Sequence, residues 1–314
     1  MIGKTNLSGS KVTINNVPVV GKSNLVYKNE AYYDFDSWIS VSTIPNDFRF
    51  CNGSAVVYNN EIHILGGLVS SGYEGTTTHY KWNGSSWISV STLPYNFYQG
   101  SAVVYNNEIH IFGGRRNLTK HYKWDGSSWT SVSTLPYDFQ NGSAVVYNNE
   151  IHILGSGSDI SCYKKHYKWN GSSWTSASTL PYNFYQGSAL VYNNEIHILG
   201  SNDSSYYTKH YALNGSSWIS ASTLPYNFYQ GSAVVYNNEI HILGSSDSSY
   251  YTKHYALNGS KWISASTLPY NFYQGSAVVY NNEIHILGGN DSDNYVSHYS
   301  VSGRKYKIVY KGSE

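Results

Sequence analysis

Charged side chains are scarce in this chain of 314 residues: Asp, Glu, Lys and Arg together make up 12% of it, about half the usual share. The formal net charge is +1. A nucleic-acid partner calls for a basic stripe, and an anionic membrane surface for a polybasic segment, so neither partner is expected. Cysteine is almost missing. Cys51 and Cys162 are the only two, too few for a disulfide scaffold or a thiolate metal site, and two free thiols are the expected state. No run approaches the roughly 18 apolar residues of a membrane helix, so no membrane insertion is expected. The opening MIGKTNLSGSKVTINN has no apolar signal core; a cytoplasmic location follows as the expectation, with a virion as the alternative. The Asn-Gly-Ser triplets at Asn83, Asn170, Asn214 and Asn258 accordingly read as turns rather than glycosylation acceptors. Tyrosine fills the space that charge leaves, with 33 copies. Together with Asn, Ser and Gly it gives a surface like that of antibody loops, which bind through rigid rings and adaptable hydrogen bonds.

The sequence repeats. GSAVVYNNEIHILG starts at Gly231 and again at Gly275, with close variants at Gly53, Gly100, Gly142 and Gly187, so the six anchors lie 47, 42, 45, 44 and 44 residues apart. Strand-like content at a period in the forties points to a propeller. In the unit from Gly231, SAVVY is a short β-rich run. Asn237-Asn238 can take positive φ and reads as a type I′ hairpin turn, and EIHILG answers as the second strand. TKHYAL and KWISAS, joined by the turn at Asn258-Gly259-Ser260, supply the third and fourth. We call these strands A to D. TLPYNFYQ then crosses to the next unit. The small residues that begin strand A suit a crowded axis, which puts strand D outermost. Both sheet faces should be covered by neighbouring copies, which accounts for the unbroken apolar run in IHIL.

The pattern resembles the kelch repeat. The residues that carry the resemblance are Gly66-Gly67, Gly113-Gly114 and Gly288-Gly289 at strand ends, a tyrosine such as Tyr122 or Tyr167, and a tryptophan such as Trp129 or Trp174 seven residues later. It covers residues 37–301. Gly-Ser replaces Gly-Gly at Gly155-Ser156, Gly200-Ser201 and Gly244-Ser245. The resemblance implies an all-β, kelch-like β-propeller. The expected organisation is an N-terminal segment of strands, 1–36, serving attachment, and a propeller over 37–314 closed by N- and C-terminal strands. Six blades result if the strand at Trp38 completes the unit that begins at Gly275. Seven result if Arg304–Tyr310 supplies that strand and Ser23–Phe35 opens a further blade. Lys11–Val20 reads as a small hairpin outside the ring.

Residues repeated in every unit read as structure. The 12 histidines fall in strands B and C, those of strand B flanked by isoleucine; repeated in every unit, they read as buried, hydrogen-bonded groups, and no metal or cofactor is expected. The glutamates after each Asn-Asn turn stand on separate turns and cannot converge on one substrate. The tryptophans of strand D read as packing between blades. Asp203-Ser-Ser and Asn290-Asp-Ser-Asp lack the spacing of a calcium loop. No phosphate loop and no nucleophile elbow is present.

The B–C loops differ between copies, and by the strand order they emerge on the same face as the D–A crossings. The crossings offer Tyr98, Gln99, Tyr185, Gln186, Tyr229, Gln230, Tyr273 and Gln274, expected at the inner rim with the tyrosines directed at the axis. Rings beside amides suit a sugar or a peptide. In the second crossing Gln140-Asn141 takes the place of Tyr-Gln, which moves the expected ligand towards the units at Gly187, Gly231 and Gly275. The expected function is a non-catalytic recognition module binding a glycan or protein partner at this face. The recent internal duplication, the missing signal core and the sugar-friendly surface together resemble propeller proteins of bacteriophage virions, a resemblance that implies a virion or tail component. Two alternatives stand beside it. One is an enzyme acting on a sugar, as in a mutarotase-like propeller, for which Arg49, Glu74, Arg115, Arg116, Asp159 and Lys164 are the unusual groups on the face. The other is a purely structural assembly component.

Overall fold

The computed structural model describes residues 13–14, 17–18, 26–45, 48–69, 74–291 and 295–312. Two units are distinguished: residues 35–304, and residues 1–34 together with 305–314. The first unit is a ring of six four-stranded antiparallel sheets. Blade 4 shows the plan: strand A is Ser188–Tyr192, B is Glu195–Leu199, C is His210–Asn214 and D is Ser217–Ser220, paired in that order. Blades 1, 2, 3, 5 and 6 begin at Ser54, Ser101, Ser143, Ser232 and Ser276. The two-residue A–B turns form for a local reason. Asn237 and Asn238 both take left-handed φ, 48° and 60°, which asparagine tolerates and whose twist suits a hairpin. Tyr236 and Glu239 then face each other across the pair.

Blade 6 settles the number of blades. Its strands A to C are Ser276–Tyr280, Glu283–Leu287 and Ser297–Val301, and its outer strand is Ile39–Thr43, from the other end of the chain. Gly303–Gly312 pairs instead with Val26–Phe35 in a separate two-stranded sheet. Neither segment becomes part of a seventh blade; the ring closes at six. Thr13–Ile14 and Val17–Pro18 pair antiparallel, within the segment read as a hairpin, the rest of which lies outside the described residues.

Each interface between blades holds one apolar cluster. Between blades 4 and 5, Ile240 and Ile242 of one sheet meet Leu190 and Leu199 of the other, with Phe228 of the crossing fully buried among them. The same set recurs at the other five interfaces. Because every sheet is covered on both faces, the whole of Ile196–Leu199 is buried, as the unbroken apolar run requires. The tryptophans of strand D bridge blades. Trp87 Nε1 of blade 1 donates to Ser42 Oγ of blade 6 at 2.9 Å, and Trp174 Nε1 of blade 3 to Ser133 Oγ of blade 2 at 3.0 Å. Cys51 and Cys162 are free and buried. Among the described residues no helix is long and apolar enough to cross a membrane.

Candidate functional site: the axial amide ring and its tyrosine flank

The D–A crossing divides its residues between two tasks. In the crossing from blade 4 to blade 5, Leu224, Tyr226 and Phe228 are buried. The Tyr226 hydroxyl donates to the Gly244 carbonyl at 3.1 Å. Gly244, at φ 62°, also abuts the next crossing: a Cβ there would sit 1.9 Å from the Phe272 carbonyl oxygen. That approach demands glycine and fixes loop and crossing together. Where Ser245 follows Gly244, its hydroxyl adds a bond to the Asn227 carbonyl at 2.6 Å and accepts from the Tyr229 N–H at 3.3 Å. Tyr229 and Gln230 are then left half-buried on the face.

At the axis the chain forms a closed circle of backbone hydrogen bonds. Gln99 N–H donates to Asn52 C=O, Asn141 to Gln99, Gln186 to Asn141, Gln230 to Gln186, Gln274 to Gln230 and Asn52 to Gln274, at 2.6–2.7 Å. All six residues hold left-handed φ between 55° and 58°. Their side chains and the following glycines line a cavity of about 110 Å³. Further along the channel six serine–alanine pairs, beginning with Ser54-Ala55, line a second of about 180 Å³. Gln140 Nε2 donates to Gln99 Oε1 at 2.7 Å, and Asn202 Nδ2 to Gln186 Oε1 at 2.6 Å. Every ring N–H is engaged inside the ring, so the ring offers side-chain amides to a ligand and not an anion-binding nest. Its lining residues are amides, glycines, serines and alanines, chemistry for neutral hydrogen bonding.

The eight crossing residues thus separate. Gln99, Gln186, Gln230 and Gln274 come together at the axis, joined by Asn52 and Asn141. The tyrosines do not line that cavity. The left-handed turn at each glutamine gives the axial position to the amide and leaves the ring off the axis. Tyr185, Tyr229 and Tyr273 instead stack on tyrosines of the B–C loops: Tyr163 on Tyr185 at 4.7 Å and 26°, Tyr207 on Tyr229 at 4.8 Å and 20°, and Tyr251 on Tyr273 at 4.9 Å and 17°. Arg49 lies 4.5 Å over the ring of Tyr295. Tyr98 is different: it is buried at 3% exposure, and among the described residues its hydroxyl has no partner. Of the unusual groups, Arg116 pairs with Glu74 at 2.7 Å. Asp159 closes its own loop by accepting from Ser161 N–H at 2.8 Å.

The histidines pair within each blade. Nδ1 of the strand-B residue lies 2.8–2.9 Å from Nε2 of the strand-C residue, as in His63–His79, His110–His121 and His152–His166. Burial pushes His63, His110 and His152 down to about 4 and His79 and His121 to about 3. Among the described residues no three of His, Cys, Asp and Glu are grouped so as to hold a metal ion. The glutamates after the turns pair locally where a lysine is present: Glu61 with Lys81, and Glu150 with Lys168, both at 2.9 Å.

The chain is a six-bladed β-propeller. No family model matches it, and no curated protein does. The solved structure of YjhT is similar, with a TM-score of 0.70 over 84% of this chain and 99% of that one, at 15% sequence identity. At that identity the likeness is one of fold.

Proposed function

We propose that the protein is a non-catalytic recognition module of kelch-like type, binding a glycan or protein partner on the face that carries the B–C loops and the D–A crossings. One observation carries this reading. Constant crossings and variable loops meet there, and their half-buried tyrosines stack across the boundary around a polar axial cavity. A constant frame beneath variable loops is the arrangement in which binding specificity changes without disturbing the fold. Rings already held by their neighbours lose little freedom when a ligand arrives.

The test compares two faces of one fold. Tyr229→Ala with Tyr273→Ala alters the loop face; Lys81→Ala with Lys168→Ala alters the opposite, turn-bearing face. Full-length protein and both variants are assayed on a glycan array and in affinity capture, with thermal melting as the check of folding. The loop-face variant is expected to lose about tenfold in affinity, roughly 1.4 kcal/mol, and the turn-face variant nothing. Equal binding by a folded loop-face variant overturns the assignment of the face.

A further inference from the structure

The stacked rings form a repeating row. Each B–C loop of blades 3 to 5 carries an aspartate and, four residues later, the tyrosine that stacks: Asp159 and Tyr163, Asp203 and Tyr207, Asp247 and Tyr251. Tyr185 and Tyr229 each sit between two such loops. Tyr185 stacks on Tyr163 of blade 3, while its hydroxyl donates to Asn202 O in the loop of blade 4. Asp203 of that same loop accepts from Asn183 of the crossing at 3.0 Å. One blade on, Asp247 accepts from Asn227 at 3.0 Å in the same way. Burial, then Tyr207, Asp247 and Tyr251, raise the Tyr229 hydroxyl above its ordinary value, so those groups surround it. Tyr273 has the equivalent neighbours Tyr251 and Asp291.

The row is an arc and not a circle. At blades 1 and 2 the pattern stops: Tyr98 is buried, and Gln140 replaces the crossing tyrosine and bonds to Gln99. The two arginines of blade 2 stand outside the row. Arg115 and Arg116 line a different pocket, with Tyr98 and Asn117, where Glu74 already holds Arg116.

We propose that this arc is a row of equivalent subsites for a linear, uncharged oligosaccharide. The proposal rests on the recognition reading above and names its ligand class. Four arguments support it. A sugar ring has apolar C–H faces and a rim of hydroxyls, and each subsite pairs a held aromatic ring with a neighbouring carboxylate. Among the described residues the Asp203 carboxylate accepts from the Asn183 amide and the Ser205 N–H, which leaves about half of its roughly four acceptor sites for hydroxyl donors. The row of aspartates repels an acidic polysaccharide. Finally, a site that repeats from blade to blade matches a ligand that itself repeats, whereas a folded protein partner presents a surface without translational repeat.

The experiment uses the full chain in titration calorimetry against cello-, manno-, malto- and chito-oligosaccharides of one to six units, with oligogalacturonates as acidic controls. At least one neutral series is expected to bind. Affinity should rise several-fold as the chain grows to reach a second and third subsite, and then level off, because each added contact is intramolecular. Tyr207→Ala with Tyr251→Ala should weaken the longest oligomer at least tenfold and flatten the length dependence. Tyr207→Phe with Tyr251→Phe keeps the stack and should retain most of the binding, which separates lost contact from lost folding. Failure of every neutral series, tighter binding of the acidic controls, or a length dependence unmoved in the alanine variant overturns the proposal. If a captured protein partner is lost on the alanine variant while no sugar binds, the ligand class is wrong and the recognition reading stands. If neither sugar nor protein binding depends on these rings, both fall.

Discussion

Nδ1 of His285 lies 2.9 Å from Nε2 of His298, and both rings are buried in blade 6. Trp87 Nε1 can only donate, and it donates to Ser42 Oγ at 2.9 Å. Ser42 Oγ also lies 2.7 Å from His298 Nδ1, so Trp87, Ser42, His298 and His285 form one hydrogen-bonded chain. In the neutral pair one ring nitrogen donates and the other accepts. A proton added at the accepting nitrogen would set two donors face to face inside a buried blade.

Acid should therefore unfold the ring cooperatively. Burial lowers His298 and His79 to about 3, and His110 and His241 to about 4, against about 6.5 in the unfolded chain. Between these values the unfolded chain binds protons that the folded chain refuses. The stabilisation is complete above about pH 6.5 and is lost as pH falls through about 4, with a slope of up to about 1.4 kcal/mol per pH unit for each histidine. Melting temperature followed from pH 7.5 to 4.5 should drop steeply below 6.5. The double variant His285→Phe with His298→Phe should reduce proton uptake on unfolding by up to about two protons. A melting temperature flat across the range contradicts the pairing.

Closure depends on a short strand. Ile39–Thr43 pairs with Ser297–Val301, and Ile44 beyond it is fully buried against Phe48 and Phe50. Removing residues 1–44 leaves the third strand of blade 6 as an open edge and empties part of one interface. The truncated chain should lose its single cooperative transition in calorimetry and aggregate through that edge. Ile44→Ala in the full chain is the milder form, expected to cost about 2–4 kcal/mol in chemical denaturation. Unchanged melting of the truncation would mean that another segment closes the ring.

Two glycines with nearly the same φ should differ sharply. Gly200 has φ 61°, and a Cβ there would lie 1.9 Å from the Phe228 carbonyl oxygen; Gly259 has φ 59° with nothing within 4 Å. Gly259→Ala meets only the conformational penalty, about 1–2 kcal/mol. Gly200→Ala adds a backbone collision that no side-chain rotation relieves, so it should cost several kcal/mol more or prevent folding. Denaturation midpoints of the two variants side by side separate the terms.

The frame of the fold was legible because every local signal in it is repeated. Asn237-Asn238 announces its hairpin, the buried run of Ile196–Leu199 announces a sheet covered on both faces, and Trp38 without a strand A before it announces closure by the N-terminal side. The site was legible only in part. The glutamines stand out by their place before a glycine, and Asn52 and Asn141 occupy that same place. Without a flanking Tyr these two do not stand out, although the ring uses the backbone and asks only for left-handed φ at that position. The stacking partners Tyr163, Tyr207 and Tyr251 lie in the loops that vary most, where spacing from a strand end carries little geometric information. Their common four-residue distance from an aspartate was the usable signal.

The axial circle allows the sharpest test of backbone against side chain. Gln230 donates its N–H to Gln186 C=O at 2.6 Å and accepts at its own carbonyl from Gln274 N–H at 2.7 Å, with φ at 56°. Asparagine enters this conformation more readily than glutamine, and nature already places Asn52 and Asn141 in the same circle at φ 55° and 58°. Gln230→Asn should therefore hold or slightly raise stability, by a few tenths of a kcal/mol. Gln230→Val keeps the N–H but puts a β-branched side chain where φ is positive, and should cost about 2 kcal/mol. Gln230→Pro fixes φ near −65° and removes the donor, so the circle opens at that blade and the loss should reach about 3 kcal/mol or more. Urea midpoints in the order Asn, Gln, Val, Pro locate the structural role in the backbone circle. Loss of stability in Gln230→Asn equal to that in Gln230→Val would place it in the longer side chain instead.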